Sequence, residues 1–141
     1  MAQDVRIERQ FAVEPQEVFT AFTEERQWAA WMWPPRMQTH ATVDARTGGR
    51  FSFRSEVADL GCSGSFRAVS PWKDGGGYLD FSWQWDGDGH VSRVVVEVTG
   101  SPAGTSLVLT HAENRDDHEC QQHREGWDSC LDRLAEHLLA S

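Results

Sequence analysis

The sequence predicts an α+β protein: a curved antiparallel β-sheet wrapped around one long C-terminal helix, with a partly apolar pocket between them. Three observations carry this reading. Residues 116–140 form one long amphipathic helical segment. Ahead of it runs a series of short strand-like segments separated by turn signals. Two short helical segments interrupt that series after its first strand. Consecutive strands with short turns make an antiparallel meander. A one-sided sheet must bury its apolar face, and only the long helix is large enough to cover it.

The elements follow in order. Residues 5–13 place Val5, Ile7, Phe11 and Val13 in near-alternation with polar residues, as a first strand does. Glu14-Pro15 opens a helix, because proline is well tolerated at the first helical position, and Val18, Phe19 and Phe22 give it an apolar face. A second short helix covers 24–31, and Pro34-Pro35 ends it. Strands are then expected at 37–44, 50–57, 61–70 and 78–85. Gly48-Gly49, the glycine loop at 74–77 and the turn at 86–89 punctuate them. Phe51, Phe53 and Ser55 share one face, as do Phe66 and Ala68, and as do Leu79, Phe81, Trp83 and Trp85. Residues 92–99 and 105–111 make a last hairpin, joined through 100–104.

The helix at 116–140 has the clearest signature. Asp116 followed by Glu119 resembles a capping box. Cys120, His123, Trp127, Cys130, Leu131, Leu134 and Leu138 fall in one stripe at 100° per residue. About 24 residues make a rod of about 36 Å, enough to cross a whole sheet.

Bulk properties narrow the function classes. A length of 141 residues fits one domain spanning 1–141. Seven Trp and seven Phe argue against disorder. The net charge of −9, without a basic run, disfavours nucleic acid and anionic membranes. No stretch approaches the roughly 20 apolar residues of a membrane span. The three cysteines lack framework spacing and read as free thiols. With no leader-like pattern at Met1-Ala2-Gln3-Asp4, a cytoplasmic chain is expected.

Specific motifs add a resemblance. They are Trp28-Ala29-Ala30-Trp31-Met32-Trp33-Pro34, Asp44-Ala45-Arg46-Thr47-Gly48-Gly49-Arg50-Phe51, Leu107-Val108-Leu109-Thr110-His111, and Gly126-Trp127 with Leu131, Leu134 and Leu138. In this order they resemble the START-like (SRPBCC), or helix-grip, superfamily. Within it they resemble the family named after the activator of the heat-shock-protein-90 ATPase. The resemblance spans nearly the whole chain. It implies the helix-grip fold and a pocket. Relatives elsewhere in the superfamily bind lipids, hormones or polyketides, and a few are cyclases.

Candidate pocket residues come from converging faces. Phe51, Phe53, Phe66, Phe81, Trp83 and Trp85 line the concave side of the sheet, and His123 and Trp127 face them from the helix. His111 ends the strand face that holds Leu107 and Leu109. A largely apolar cavity with a few polar groups is the usual form of a small-molecule site. The plainer reading of Phe51, Phe66, Leu131, Leu134 and Leu138 is core. For Trp83, Trp85 and Trp127 both readings stand, since an indole N–H wants a partner. A histidine in an apolar stripe must be hydrogen-bonded, so His123 is a ligand contact, an acid/base, or a satisfied inner residue. No metal is expected. His118 and Cys120 differ by about 200° around the helix axis, and His118 and His123 by about 140°. No organic cofactor is implied. Gly126, inside a helix, suggests either close approach of the backbone to a strand or ligand, or a kink.

Three functions compete. The leading one is binding of a small, largely hydrophobic or aromatic ligand. Trp31, Trp33, Phe53, Phe81, Trp83, Trp85 and Trp127 would supply surface, and His111 and His123 polar handles. The second is a co-chaperone-like module that docks a protein partner through an exposed Trp28, Trp31 and Trp33 patch. The third is a cyclase- or hydrolase-like enzyme, with His111 and His123, or either with Glu113 or Glu119, as its titrating pair. A catalytic role is the less favoured reading. The chain is expected as a monomer or homodimer.

Overall fold

The computed structural model describes residues 3–73 and 76–140, the side chain of Trp72 excepted. The chain begins with β1 (Val5–Phe11), α1 (Pro15–Thr23) and α2 (Glu25–Met32). A 3₁₀ turn at Pro35–Met37 leads into β2 (His40–Val43), β3 (Arg50–Ser55), β4 (Leu60–Lys73) and β5 (Gly76–Trp85). β6 (Ser92–Ser101), β7 (Gly104–Ala112) and α3 (Asp117–Ala140) complete it. The seven strands form one antiparallel sheet in the order β1-β7-β6-β5-β4-β3-β2. The sheet is curved, with the long C-terminal helix and early short helices of a helix-grip fold.

Local chemistry explains the boundaries. Pro15 stands at the start of α1, and Glu17 Oε2 accepts a bond from the Glu14 N–H at 3.1 Å. α2 stops at Met32 because Trp33 precedes a proline and takes the extended conformation that such a residue prefers. The last carbonyls of α2 are not left bare. Arg133 of α3 donates to the carbonyls of Trp31 and Met32 at 3.0 and 2.8 Å. The 3₁₀ turn takes Met37 out of the expected strand at 37–44, and Gln38 follows it in the left-handed conformation, so β2 begins only at His40. The turn before β3 accounts for its motif. Asp44 receives both bonds from the Arg46 Nε–H, Gly48 takes φ 89°, and a Cβ on Gly49 would collide with the Asp44 carbonyl.

Three departures from sequence periodicity are informative. The pairing of β4 with β5 slips between Phe66 and Ala68. Phe66 is buried, but beyond the slip Val69 packs against the core instead of Ala68. An irregularity of this kind shifts which residues face inward. The connection expected at 100–104 is only two residues long, since Gly100 pairs with Thr105 and Ser101 with Gly104. In the predicted glycine loop, 74 and 75 lie outside the described residues, and Gly76 and Gly77 already pair with Thr99 and Val98.

The buried residues of α3 are the seven of the predicted stripe. The cap of α3 is half of the expected box. Asp116 accepts from the Glu119 N–H at 2.8 Å, but Glu119 returns its bond to the Arg115 N–H. Arg9 of β1 fixes the outer side of α3 through Asp128 and Asp132. Under the helix lies an aromatic core centred on Trp28, which touches Phe22, Trp31, Phe51, Phe53 and Phe81.

Candidate functional site

Two adjacent cavities lie between the sheet and the N-terminal half of α3. The outer one is open and about 390 Å³ in volume. Most of its lining residues are polar, with Asp88, Arg115, His118 and Glu119 beside Leu60. Arg115 there is paired with Asp88. The inner one is a slot of about 60 Å³, bordered by Met32, Trp33, Trp83, Gly126, Trp127 and Cys130. Trp85, Gln122 and His123 border both.

The polar groups at this junction form a closed network. Asn114 donates from Nδ2 to the His111 carbonyl at 2.9 Å, so its Oδ1 faces His123 Nδ1 at 2.6 Å. That places the proton of His123 on Nδ1. Its Nε2 lone pair accepts the indole N–H of Trp85 at 3.0 Å. His111 is the mirror case. Its Nδ1 accepts the indole N–H of Trp127 at 3.0 Å, so its Nε2 carries the proton and meets Ser92 Oγ at 2.7 Å. The two imidazoles stack, with ring centroids 3.9 Å apart and planes at 13°.

This network holds both histidines neutral. Protonating either would set an N–H against an indole N–H, and two imidazolium rings could not stack at this distance. Burial pushes the pKa of His111 well below the ordinary histidine value, and the charges of His123 and His90 add to the effect. Burial also lowers that of His123, opposed by Glu119 and reinforced by His90.

The predicted site residues therefore separate into two groups. Trp33, Trp83, Trp85, His123 and Trp127 meet around the slot. His111 is fully buried behind it, in contact with three of its wall residues, Trp83, Trp127 and His123. Trp31, Phe53 and Phe81 border neither cavity. Trp31 donates its indole N–H to the Ala21 carbonyl, and the two phenylalanines pack on Trp28. Trp28, Trp31 and Trp33 are 0%, 1% and 8% exposed, so they form no surface patch. Among the described residues the exposed large apolar ones are instead Val57, Val91 and Leu139, dispersed between the β3–β4 turn, the residue ahead of β6 and the end of α3.

None of the titrating pairs suggested for an enzyme is hydrogen-bonded among the described residues. His111 and His123 stack rather than exchange a hydrogen bond. Glu119 approaches His90 at 3.7 Å, and the carboxylate of Glu113 stands 4.0 Å from Arg67. Cys130 gives its Sγ–H to the Met32 carbonyl, and burial pushes its thiol up to about 11. Sequence periodicity does not reveal Asn114, Ser92, Gln122 or His90. They lie at element ends or on a polar face, where no period operates.

One of the readings of Gly126, close approach to a strand, does not hold. A Cβ there would find no atom within 4 Å, so no strand presses on it. It sits at the exposed rim of the slot.

Residues 12–139 match the family described as Activator of Hsp90 ATPase homolog 1-like protein. The chain belongs to this family. Its fold is similar to that of protein MLL2253 from Mesorhizobium loti, at 21% identity and a TM-score of 0.84, covering 99% of this chain and 98% of that one. A family protein from Silicibacter pomeroyi is 29% identical, with a TM-score of 0.70 over 98% of this chain and 99% of its own. DynU16, a putative protein in the dynemicin biosynthetic locus, gives 24% identity and a TM-score of 0.79. The match covers 98% of this chain and 48% of DynU16. No curated protein matches the chain by sequence.

Proposed function

We propose that this family member binds a small, largely hydrophobic or aromatic molecule between the sheet and the N-terminal half of α3. One observation carries the reading. The open cavity and the tryptophan-walled slot share Trp85, Gln122 and His123, so a polar, open surface and an apolar one meet at the same three residues. Apolar walls with a few placed polar groups suit such ligands. The family's helix-grip fold supports the same reading, and the presence of DynU16 in a biosynthetic locus is in keeping with small-molecule work. A catalytic role finds less support, because both ring nitrogens of His111 and His123 are already engaged.

The test is titration of intrinsic tryptophan fluorescence with a panel of aromatic and fatty ligands, with His123→Ala and Trp127→Ala alongside. Saturable quenching by one ligand class, weakened in both folded variants, is expected. A folded wild-type protein that answers to no ligand would overturn the proposal.

A further inference from the structure

The inner slot is too small for what its walls suggest. A cavity of about 150 Å³ holds a benzene ring, and the slot has about 60 Å³. A ring enters only if a wall moves. Trp33, Trp83 and Trp127 are 8%, 2% and 3% exposed. Trp127 is also tied to buried His111, and Trp83 is packed among Phe51, Phe81 and Trp127. Trp85 differs. It is half-buried, ends β5, borders both cavities and holds its indole N–H on one partner, His123. Its indole lies nearly parallel to Trp33, at 11°, and to His123, at 16°.

If Trp85 swings toward the open cavity, it leaves a flat space and one specific demand. His123 Nε2 is then an acceptor without a donor, and Asn114 on the opposite nitrogen holds the tautomer that keeps it so. A buried acceptor left unmatched is costly. The incoming molecule must therefore donate. The slot is also bordered by Trp83, whose buried indole N–H has no partner among the described residues. A hydroxyl can donate to His123 and still accept a second bond, which a ring N–H cannot.

Resting on the binding role above, we propose that the ligand is a flat aromatic carrying a phenol-type hydroxyl, which replaces the indole of Trp85 on Nε2 of His123. Trp85 is then an internal plug that occupies the ligand's place in the empty protein.

The experiment is calorimetric titration of the wild-type protein, Trp85→Ala and Trp85→Phe with 2-naphthol and with 2-methoxynaphthalene. The ether has the same ring and cannot donate. Wild type is expected to bind the naphthol about tenfold or more tightly than the ether. Both variants are expected to bind the naphthol more tightly than wild type, because neither has an indole N–H to displace. Trp85→Phe keeps a ring at the position should Trp85→Ala lose its fold, which circular dichroism reports. Equal affinity for the two probes, or weaker naphthol binding by a folded Trp85 variant, would overturn the plug while leaving a hydrophobic site in place. Binding of neither probe by any of the three proteins would overturn both the plug and the aromatic-binding role beneath it.

Discussion

His111 and His123 show how single residues set the behaviour of this site. Each is fixed as a neutral tautomer by an indole N–H on one nitrogen and a side-chain oxygen on the other. Their folded pKa values lie below the ordinary one. Below about pH 6.5 the unfolded chain therefore takes up protons that the folded chain refuses. Their contribution to stability is complete above that pH. It falls as the pH drops toward the folded values, by up to about 1.4 kcal/mol per pH unit for each histidine. Urea unfolding between pH 7.5 and 5 should show this loss, and a constant midpoint would mean that the network tolerates protonation. The indole partner is open to a separate check. Trp127→Phe keeps most of the ring but strands Nδ1 of a fully buried His111. A loss of about 1–3 kcal/mol is expected in urea unfolding at pH 7.5.

Between elements, the helices carry two contrasting details. Gly126 weakens α3 without any packing return, since its missing Cβ would meet nothing. Gly126→Ala should raise stability by about 1 kcal/mol, seen as a higher melting temperature. No gain would mean that the residue serves something other than packing. Arg133 works in the opposite direction. It joins α3 to α2 by donating to two carbonyls at the end of α2. Arg133→Met keeps the length of the stem and removes the donors. It should cost about 1.5–3 kcal/mol, the range for hydrogen bonds from a charged group. A loss below about 0.5 kcal/mol would show that water replaces the guanidinium there.

At the scale of the molecule, stability depends on the aromatic core that α2 presses into the sheet. Trp28 is fully buried and touches rings from α1, α2, β3 and β5. Trp28→Ala removes one of the largest fully buried side chains of that core, at an expected cost of about 3–5 kcal/mol. That is a large share of the 5–15 kcal/mol typical of a folded protein, roughly speaking. Near-UV circular dichroism on heating should show an early, broadened transition. A melting curve like that of wild type would mean that α2 is peripheral to folding.

Much of this architecture is legible in the chain because burial imposes a period on it. The stripe from Cys120 to Leu138 repeats every 3.6 residues, and the run Leu79, Phe81, Trp83, Trp85 repeats every two. Side-chain periods survive in sequence because one face of each element meets the core. What breaks the period is not legible: the slip after Phe66, the 3₁₀ turn ahead of β2, and a hairpin whose Gly and Ser residues look like loop but pair as strand. The candidate site lies further from sequence still. Trp85 and His123 are 38 positions apart, and His111 and Trp127 are 16 apart. The chain alone supplies aromatic rings and histidines on facing elements. Only the tertiary structure decides which rings fill the core and which border a cavity. A period says which face turns inward, but the space left between two inward faces depends on how their side chains interlock.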